Sequence, residues 1–131
     1  MPFDISSGLT NINDWIKNGL NKDSILFSEN FGKDLAENKL STNQIRNVFG
    51  EVRRIQLKGI SKSFDSEVLL LKPKLAYSKA RNKSAEPLQK VLSKGIDAIF
   101  DNPGESKYQR FENFANFFES ILAYHKAYGG N

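Results

Sequence analysis

Apolar side chains recur every three or four positions along most of the chain, which is the spacing of amphipathic helices. No stretch alternates apolar and polar residues over the length of a strand. The pattern therefore predicts an all-α fold, a compact single-domain bundle of about five helices. The predicted inward stripes are Leu26, Phe27, Phe31 and Leu35; Ile45, Val48, Phe49, Val52 and Ile55; Phe64, Val68, Leu71 and Leu75; Leu88, Val91, Leu92, Ile96 and Ile99; and Phe111, Ala115, Phe118 and Leu122.

Polar residues between these stripes predict where the helices begin and end. Asp23 is the candidate N-cap of the first helix. The segment Ser41-Thr42-Asn43-Gln44 predicts a capping box at the start of the second helix, which is expected to stop near Gly59. We expect Ser84 to cap the fourth helix, and the fifth and longest helix to span residues 105–128.

A proline interrupts the third helix, which the pattern predicts from Phe64 to Ala80. Pro73 has no backbone N–H to donate, and its ring presses on the carbonyl of Leu69. We expect a kinked helix, and the alternative is a pair of helices that meet at Lys72.

Regular structure is weakly indicated before the first helix. Residues 1–21 are rich in Asn, Ser and Gly, and they contain only a short candidate helical turn at residues 13–18. We therefore expect an irregular N-terminal arm over residues 1–21, with Trp15 and Ile16 as its docking side chains. The helical bundle domain is expected over residues 22–131.

Composition excludes several classes of active site. The 131 residues contain no cysteine and one histidine, which excludes a disulfide scaffold, a thiol nucleophile and a multi-histidine metal site. The lack of cysteine agrees with a reducing compartment, so a cytoplasmic location is expected. The longest aliphatic run is the four residues from Val68 to Leu71, so we expect no membrane span and no export signal.

Catalytic arrangements are also missing from the sequence. The candidate carboxylate pairs lack a partner that would assign acid and base roles, and no glycine-rich loop leads into Lys-Ser or Lys-Thr. His125 follows Phe118 at heptad spacing, which favours a packed or capping histidine over a catalytic one. We expect no enzymatic activity, no catalytic residue, no metal site, no cofactor and no small-molecule substrate.

Charge is unevenly distributed, although the net charge is only +4. Residues 41–83 carry ten basic and three acidic side chains, whereas residues 1–40 carry four and six, and residues 84–131 carry five and six. A basic block of this kind is typical of a surface that binds a polyanion, although solvated helix faces produce the same count.

The basic residues of the second helix follow one line. Arg46, Gly50, Arg53 and Leu57 recur at helical spacing, so two guanidinium groups bracket a glycine that would allow close backbone approach. Such a line suits a phosphate chain, and the equally weighted alternative is a solvated face with an incidental glycine. The positive field is extended by Arg54, Lys58 and Lys62.

The third predicted helix also has basic residues on one face, together with an aromatic side chain. Leu70, Lys74, Tyr77 and Arg81 share one face, which places Tyr77 between two cations. An aromatic ring between basic residues can stack an unpaired base without reading its sequence. The alternative is that Tyr77 packs against a neighbouring helix.

Aromatic residues are concentrated in the last helix. Seven of the fifteen aromatic residues lie between Tyr108 and Tyr128, more than one inward stripe requires. A second stripe of Phe117, Tyr124 and Tyr128 predicts either a helix at the centre of the domain or a protein interface formed by these three residues.

Three stretches of the chain resemble a known family. They are Leu40 to Arg46 (LSTNQIR) with Phe49 after it, Leu70 to Tyr77 (LLKPKLAY), and Phe114 to Gly130 (FANFFESILAYHKAYGG). In this order they are similar to the small subunit of the type III-A CRISPR effector, the Csm ribonucleoprotein complex.

The resemblance implies a small helical bundle without catalytic activity of its own. Such a subunit stacks beside copies of itself along the CRISPR RNA-guided complex and helps to hold the guide-target RNA duplex in antiviral defence. The implied partners are the other subunits, CRISPR RNA and target RNA. Guide pairing would then supply the sequence recognition, which agrees with the lack of base-reading residues.

Basic residues are the candidate RNA contacts. By position, the resemblance ranks Arg46, Arg53, Lys74 and Arg81 first, and Lys72, Lys79 and Lys83 second. Together with the helical spacing, the predicted RNA-binding residues are Arg46, Arg53, Arg54, Lys58, Lys72, Lys74, Tyr77, Lys79, Arg81 and Lys83. The alternative function is a helical protein-protein adaptor that uses the aromatic C-terminal helix and makes no direct RNA contact; a small hydrolase or nuclease is a weaker third hypothesis.

Overall fold

Helices account for the regular structure of residues 3–130, the part of the chain that the computed structural model describes. The α-helices are α1 (Ser6–Asn18), α2 (Lys22–Glu37), α3 (Thr42–Lys58), α4 (Phe64–Leu69), α5 (Leu71–Arg81), α6 (Glu86–Phe100) and α7 (Lys107–Ala127). Because a single residue separates α4 from α5, residues 3–130 form six helical units where about five were predicted, and the all-α class is confirmed. Three residues of the predicted arm and bundle, Met1, Pro2 and Asn131, lie outside the described residues.

α7 lies at the centre of the bundle, where it contacts α1, α2, α3 and α6. Its buried side chains face more than one neighbour, which confirms the central alternative for this aromatic helix. Phe117 is completely buried, with its ring centroid 5.8 Å from that of Trp15 and 6.1 Å from that of Phe27. Its predicted position in a protein interface is therefore wrong, because α1 and α2 cover that side of α7.

The crossing of α2 and α7 is unusually close. A Cβ atom built on Gly32 would lie 2.7 Å from the backbone nitrogen of His125 and 2.8 Å from the carbonyl oxygen of Ile121. Real Cβ atoms do not approach backbone this closely, so only glycine permits the two helices to touch here. The sequence indicates Gly32 as a weak point of the helix, whereas the structure uses it as a packing site.

The N-terminal segment forms a helix, contrary to the predicted irregular arm. α1 buries Ile12, Trp15 and Ile16, which are spaced as i, i+3 and i+4. Asn113 of α7 donates a buried hydrogen bond from Nδ2 to the Ile16 carbonyl at 2.9 Å. Burial of these side chains outweighs the low helix propensity of the surrounding Asn, Ser and Gly residues.

The first two helix starts differ in detail from the prediction. α2 is capped by Asn21, whose side-chain oxygen accepts from the Ser24 N–H at 2.9 Å, while the Asn21 N–H donates to the Ser24 hydroxyl at 2.8 Å. Asp23, the predicted cap, lies instead in the first turn, where the helix dipole favours a carboxylate. In α3 the predicted cap is confirmed, because Ser41 Oγ accepts from the Gln44 N–H at 3.4 Å.

Two further side chains form tertiary bonds instead of the predicted capping bonds. Gln44 Oε1 accepts a hydrogen bond from Asn82 Nδ2 at 3.0 Å rather than completing the capping box. Ser84 lies in a short 3-10 turn before α6, and its hydroxyl donates to the carbonyl of Asn38 at 3.0 Å.

One residue of the predicted inward stripe of α2 faces solvent instead. Leu26, predicted to face inward, is 57% exposed.

The predicted third helix is divided at Leu70. This residue keeps right-handed helical angles (φ −66°, ψ −15°), so the chain passes from α4 to α5 without reversing. Pro73 is the third residue of α5, where a backbone N–H has no intrahelical acceptor in any case. The interruption therefore lies at Leu70, upstream of the proline and of the alternative junction at Lys72.

The close crossing predicts opposite effects for alanine at two helical glycines. Gly32→Ala should lower the free energy of unfolding by about 2 kcal/mol, because the overpacking cost exceeds the gain in helix propensity. Gly50→Ala should raise it by up to about 1 kcal/mol, because a Cβ at Gly50 meets nothing within 4 Å. Urea unfolding followed by circular dichroism measures both; equal effects of the two substitutions would contradict the close crossing.

Candidate nucleic-acid interface

The buried stripe of α3 divides the rest of that helix into two flanks. Ile45, Val48, Val52 and Ile55 form the stripe. One flank faces α4 and α5, where Glu51 pairs with Lys74. The other flank faces α7, where Arg53 lies 3.5 Å from the carboxylate of Glu119. The predicted basic residues are thus distributed over two surfaces.

The first surface is formed by α3, α4 and α5, and we call it the α3/α5 surface. Glu51 binds Lys74, and it also accepts from Arg54 Nε at 3.3 Å. Glu67 binds the Lys58 ammonium at 2.9 Å and lies 3.6 Å from the Arg54 guanidinium. Three predicted RNA-binding cations therefore share two carboxylates.

These ion pairs change the titration of both carboxyl groups. The hydrogen bond from Lys74, followed by that from Arg54, holds the pKa of Glu51 below its ordinary value. The hydrogen bond from Lys58 has the same effect on the pKa of Glu67. Both carboxylates are ionised at neutral pH, as ordinary glutamates are, and they neutralise part of the basic block.

A groove lies between α3 and α5. It has a volume of about 340 Å³ and is lined by Gln44, Asn47, Val48, Pro73, Lys74, Tyr77, Ser78 and Arg81. Tyr77 is 64% exposed, so the alternative that it packs against a neighbouring helix is wrong. The Arg81 guanidinium lies 5.8 Å from the centroid of the Tyr77 ring. The structure thus brings Lys74, Tyr77 and Arg81 to one groove.

The second surface is the outer face of α3, which carries Arg46, Gly50, Arg53 and Leu57. All four residues are exposed, and Leu57 is 88% exposed. A Cβ atom at Gly50 would meet nothing within 4 Å, so packing within residues 3–130 does not require a glycine at this position. Arg53 lies 5.3 Å from the centroid of the Phe49 ring, and it leans towards α7 rather than towards the groove.

The remaining predicted cations differ in their pairing. Lys72 binds Asp97 of α6. The ammonium of Lys79 lies 3.9 Å from the carboxylate of Glu86, which is also in α6. Among the residues that the structure describes, no carboxylate lies within 4.0 Å of the cations of four basic residues in the 41–83 block: Arg46, Lys62, Arg81 and Lys83.

Sequence reasoning missed the amide side chains of the groove. Gln44 and Asn47 are one turn apart on α3 and face the groove with Tyr77. Their i, i+3 spacing is visible in the sequence, but the capping-box pattern predicts a different role for Gln44. The spacing of these residues does not show which helix packs beside them, because that depends on the tertiary structure.

His125 is a packed histidine, as its position indicated. Its ring is completely buried, and Nε2 lies 2.7 Å from the carbonyl oxygen of Leu40. Because a carbonyl only accepts, Nε2 is the nitrogen that carries the proton in this bond. Residues 3–130 contain no group of three or more potential metal ligands, and no helix within them is long and apolar enough to cross a bilayer.

The other two predicted interface residues lie at the end of α7. Tyr124 is half-buried, and Tyr128 is 44% exposed. The Tyr128 hydroxyl donates to the Glu29 carboxylate at 2.6 Å, and this bond raises the pKa of Tyr128. Tyr128 therefore connects the end of α7 to α2, although part of its ring stays accessible.

Comparison with known proteins identifies the family. No curated protein and no solved structure matches the chain. Residues 21–131 match a family model described as Csm2 Type III-A. The match covers most of the chain, including α2 to α7, and it agrees with the resemblance in three stretches. The chain therefore belongs to the Csm2 family, the small subunit of the type III-A CRISPR Csm complex.

Proposed function

We propose that this small subunit is a non-catalytic, sequence-nonspecific RNA-binding protein of the cytoplasm. It stacks with copies of itself along the type III-A complex and helps to hold the guide-target RNA duplex. CRISPR RNA and target RNA are its nucleic-acid partners. Family membership supports a place among the Csm subunits, and the surfaces described above support the RNA contact.

The observation that carries the proposal is the exposed Tyr77 beside Arg81, which has no carboxylate partner within residues 3–130. The exposed Tyr77 ring borders a groove that Lys74 and Arg81 flank. Nucleic-acid strands bind such surfaces through phosphate contacts and base stacking. Neither interaction depends on the sequence of the strand.

The ion pairs of the α3/α5 surface are compatible with phosphate binding. Glu51 and Glu67 occupy the positions next to Lys74, Arg54 and Lys58 that an RNA phosphate would take. The side chains of Glu51, Lys74 and Arg54 are 30%, 43% and 49% exposed, so their pairs contribute little to stability and can be exchanged, whereas Glu67 is only 16% exposed. A phosphate can therefore replace the Glu51 carboxylate at low energetic cost.

The outer face of α3 supplies a second contact with the same chemistry. Arg46 and Arg53 are two turns apart, and Gly50 between them leaves room for a backbone to approach. We propose that this face follows the phosphate chain, while Tyr77 contacts a base. Lys72, Lys79 and Lys83 would add weaker contacts at the edge of the α3/α5 surface.

The competing adaptor hypothesis depends on the aromatic C-terminal helix. Burial of Phe117 removes one of its three interface residues, and Tyr128 bonds to Glu29 within the same chain. Tyr124 and Tyr128 are the aromatic residues that this alternative retains. RNA binding is therefore the function that the described surfaces favour.

Removing two guanidinium groups tests the outer face of α3. Arg46→Ala combined with Arg53→Ala should weaken binding to single-stranded RNAs of different sequence by the same factor. The log-log salt slope should fall by about 1.4, because each lost phosphate contact removes about 0.7 for single strands. Fluorescence anisotropy at several salt concentrations measures both quantities.

The matched control removes two exposed lysines elsewhere, with Lys94→Ala and Lys126→Ala in α6 and α7. This control lowers the net charge by the same amount. Equal losses in the two double variants would show that only total charge matters and would contradict a specific contact by the outer face of α3.

Neutralising Glu51 tests the exchange of carboxylate for phosphate. Glu51→Gln keeps the side-chain shape and releases Lys74 and Arg54, so RNA should bind about threefold or more tightly at low salt. Glu105→Gln, an exposed residue without an ion pair among residues 3–130, makes the same charge change away from the surface. If both variants tighten binding equally, the α3/α5 surface is not a phosphate site.

A further inference from the structure

We propose that the groove between α3 and α5 binds one unstacked nucleobase, which stacks on Tyr77 while the amides of Gln44 and Asn47 contact its edge. The inference rests on the proposed RNA binding and names the part of the RNA that this groove would take. It distinguishes the groove from the outer face of α3, where contacts are limited to phosphates.

The shape of the groove fits a small planar ligand. Its volume of about 340 Å³ is at the lower end of the range for small-molecule sites. Val48 lies at its apolar floor with 5% exposure, and Pro73 and Tyr77 supply further apolar surface. An aromatic base can place one face against Tyr77 and exclude water from this surface.

The edges of the groove carry unused hydrogen-bonding groups. Gln44 lines the groove; its Oε1 already accepts from Asn82, whereas its side-chain NH2 group has no hydrogen-bond partner within residues 3–130. Asn47 is exposed, and its amide forms no hydrogen bond to the described part of the chain. An amide presents both a donor and an acceptor, which match the edge of a base.

The charge at the rim selects a nucleotide over an uncharged aromatic compound. Arg81 has no carboxylate partner among the described residues, and Lys74 is held only by the exchangeable Glu51. Both cations lie beside the base position, where the phosphates on either side of a flipped base would be. A base that remains stacked in a duplex cannot enter, so the groove requires a nucleotide turned out of its strand.

A comparison of two oligomers separates base binding from phosphate binding. An unstructured RNA and an abasic ribose-phosphate oligomer of the same length carry the same charge. The intact RNA should bind the full chain at least about fivefold more tightly, because stacking on an aromatic ring favours each bound base. The log-log salt slopes should be equal for the two oligomers, since their phosphate contacts are the same.

Substitution of Tyr77 assigns this difference to the groove. Tyr77→Leu should make the affinities for the two oligomers equal, whereas Tyr77→Trp should preserve the difference. Because Tyr77 is 64% exposed, neither change should alter the fold. Tyr128→Leu, at an exposed tyrosine outside the groove, is the control and should leave the difference unchanged.

The amide contact has its own matched pair. Asn47→Ala should reduce the preference for the intact RNA about twofold or more, and Asn43→Ala, an exposed asparagine one turn earlier, should not. If neither oligomer binds, the proposed RNA-binding function is wrong. If both bind equally, or if the preference persists in Tyr77→Leu, RNA binding stands and the nucleobase site is overturned.

Discussion

The contact between α2 and α7 at Gly32 determines how the remaining helices can be arranged. With no side chain at Gly32, the two backbones touch, and Phe27 and Phe117, which lie earlier on the same two helices, pack with their ring centroids 6.1 Å apart. His125, one of the residues at the crossing, reaches the carbonyl of Leu40 just before α3 begins. The start of α3 is thereby fixed to the central helix, and with it the surface that carries most of the basic residues.

Charge on the α3/α5 surface is partly compensated inside the chain, because two carboxylates lie among its cations. Glu51 and Glu67 hold three cations in place, while Arg81 beside Tyr77 stays free of carboxylates within residues 3–130. A surface of paired cations is ordered before its ligand arrives, so binding an anion requires less side-chain ordering. It also weakens attraction to polyanions in general, because the carboxylates must first be displaced.

The spacing of residues was sufficient to predict which face of a helix is buried and which residues share a face. It was not sufficient to predict which helix packs against that face. The Ile45 stripe and the common face of Lys74, Tyr77 and Arg81 follow from periodicity, and the structure confirms both. The sequence did not predict α1, because burial of Trp15 by distant helices outweighs poor local propensity. Three other features also depend on which helices pack together and could not be predicted from local spacing. They are the close contact at Gly32, the burial of Phe117 and the ion pairs of Glu51.

The central claim, that α3 and α5 contact RNA, is tested most directly by locating the contact. Single-stranded RNA substituted with thiouridine can be crosslinked by light to the purified full chain, and the modified peptides can then be identified by mass spectrometry. We expect crosslinks in the peptides of α3 and α5, with Tyr77 among the modified residues. Crosslinks confined to α1, α2 and α6 would contradict it.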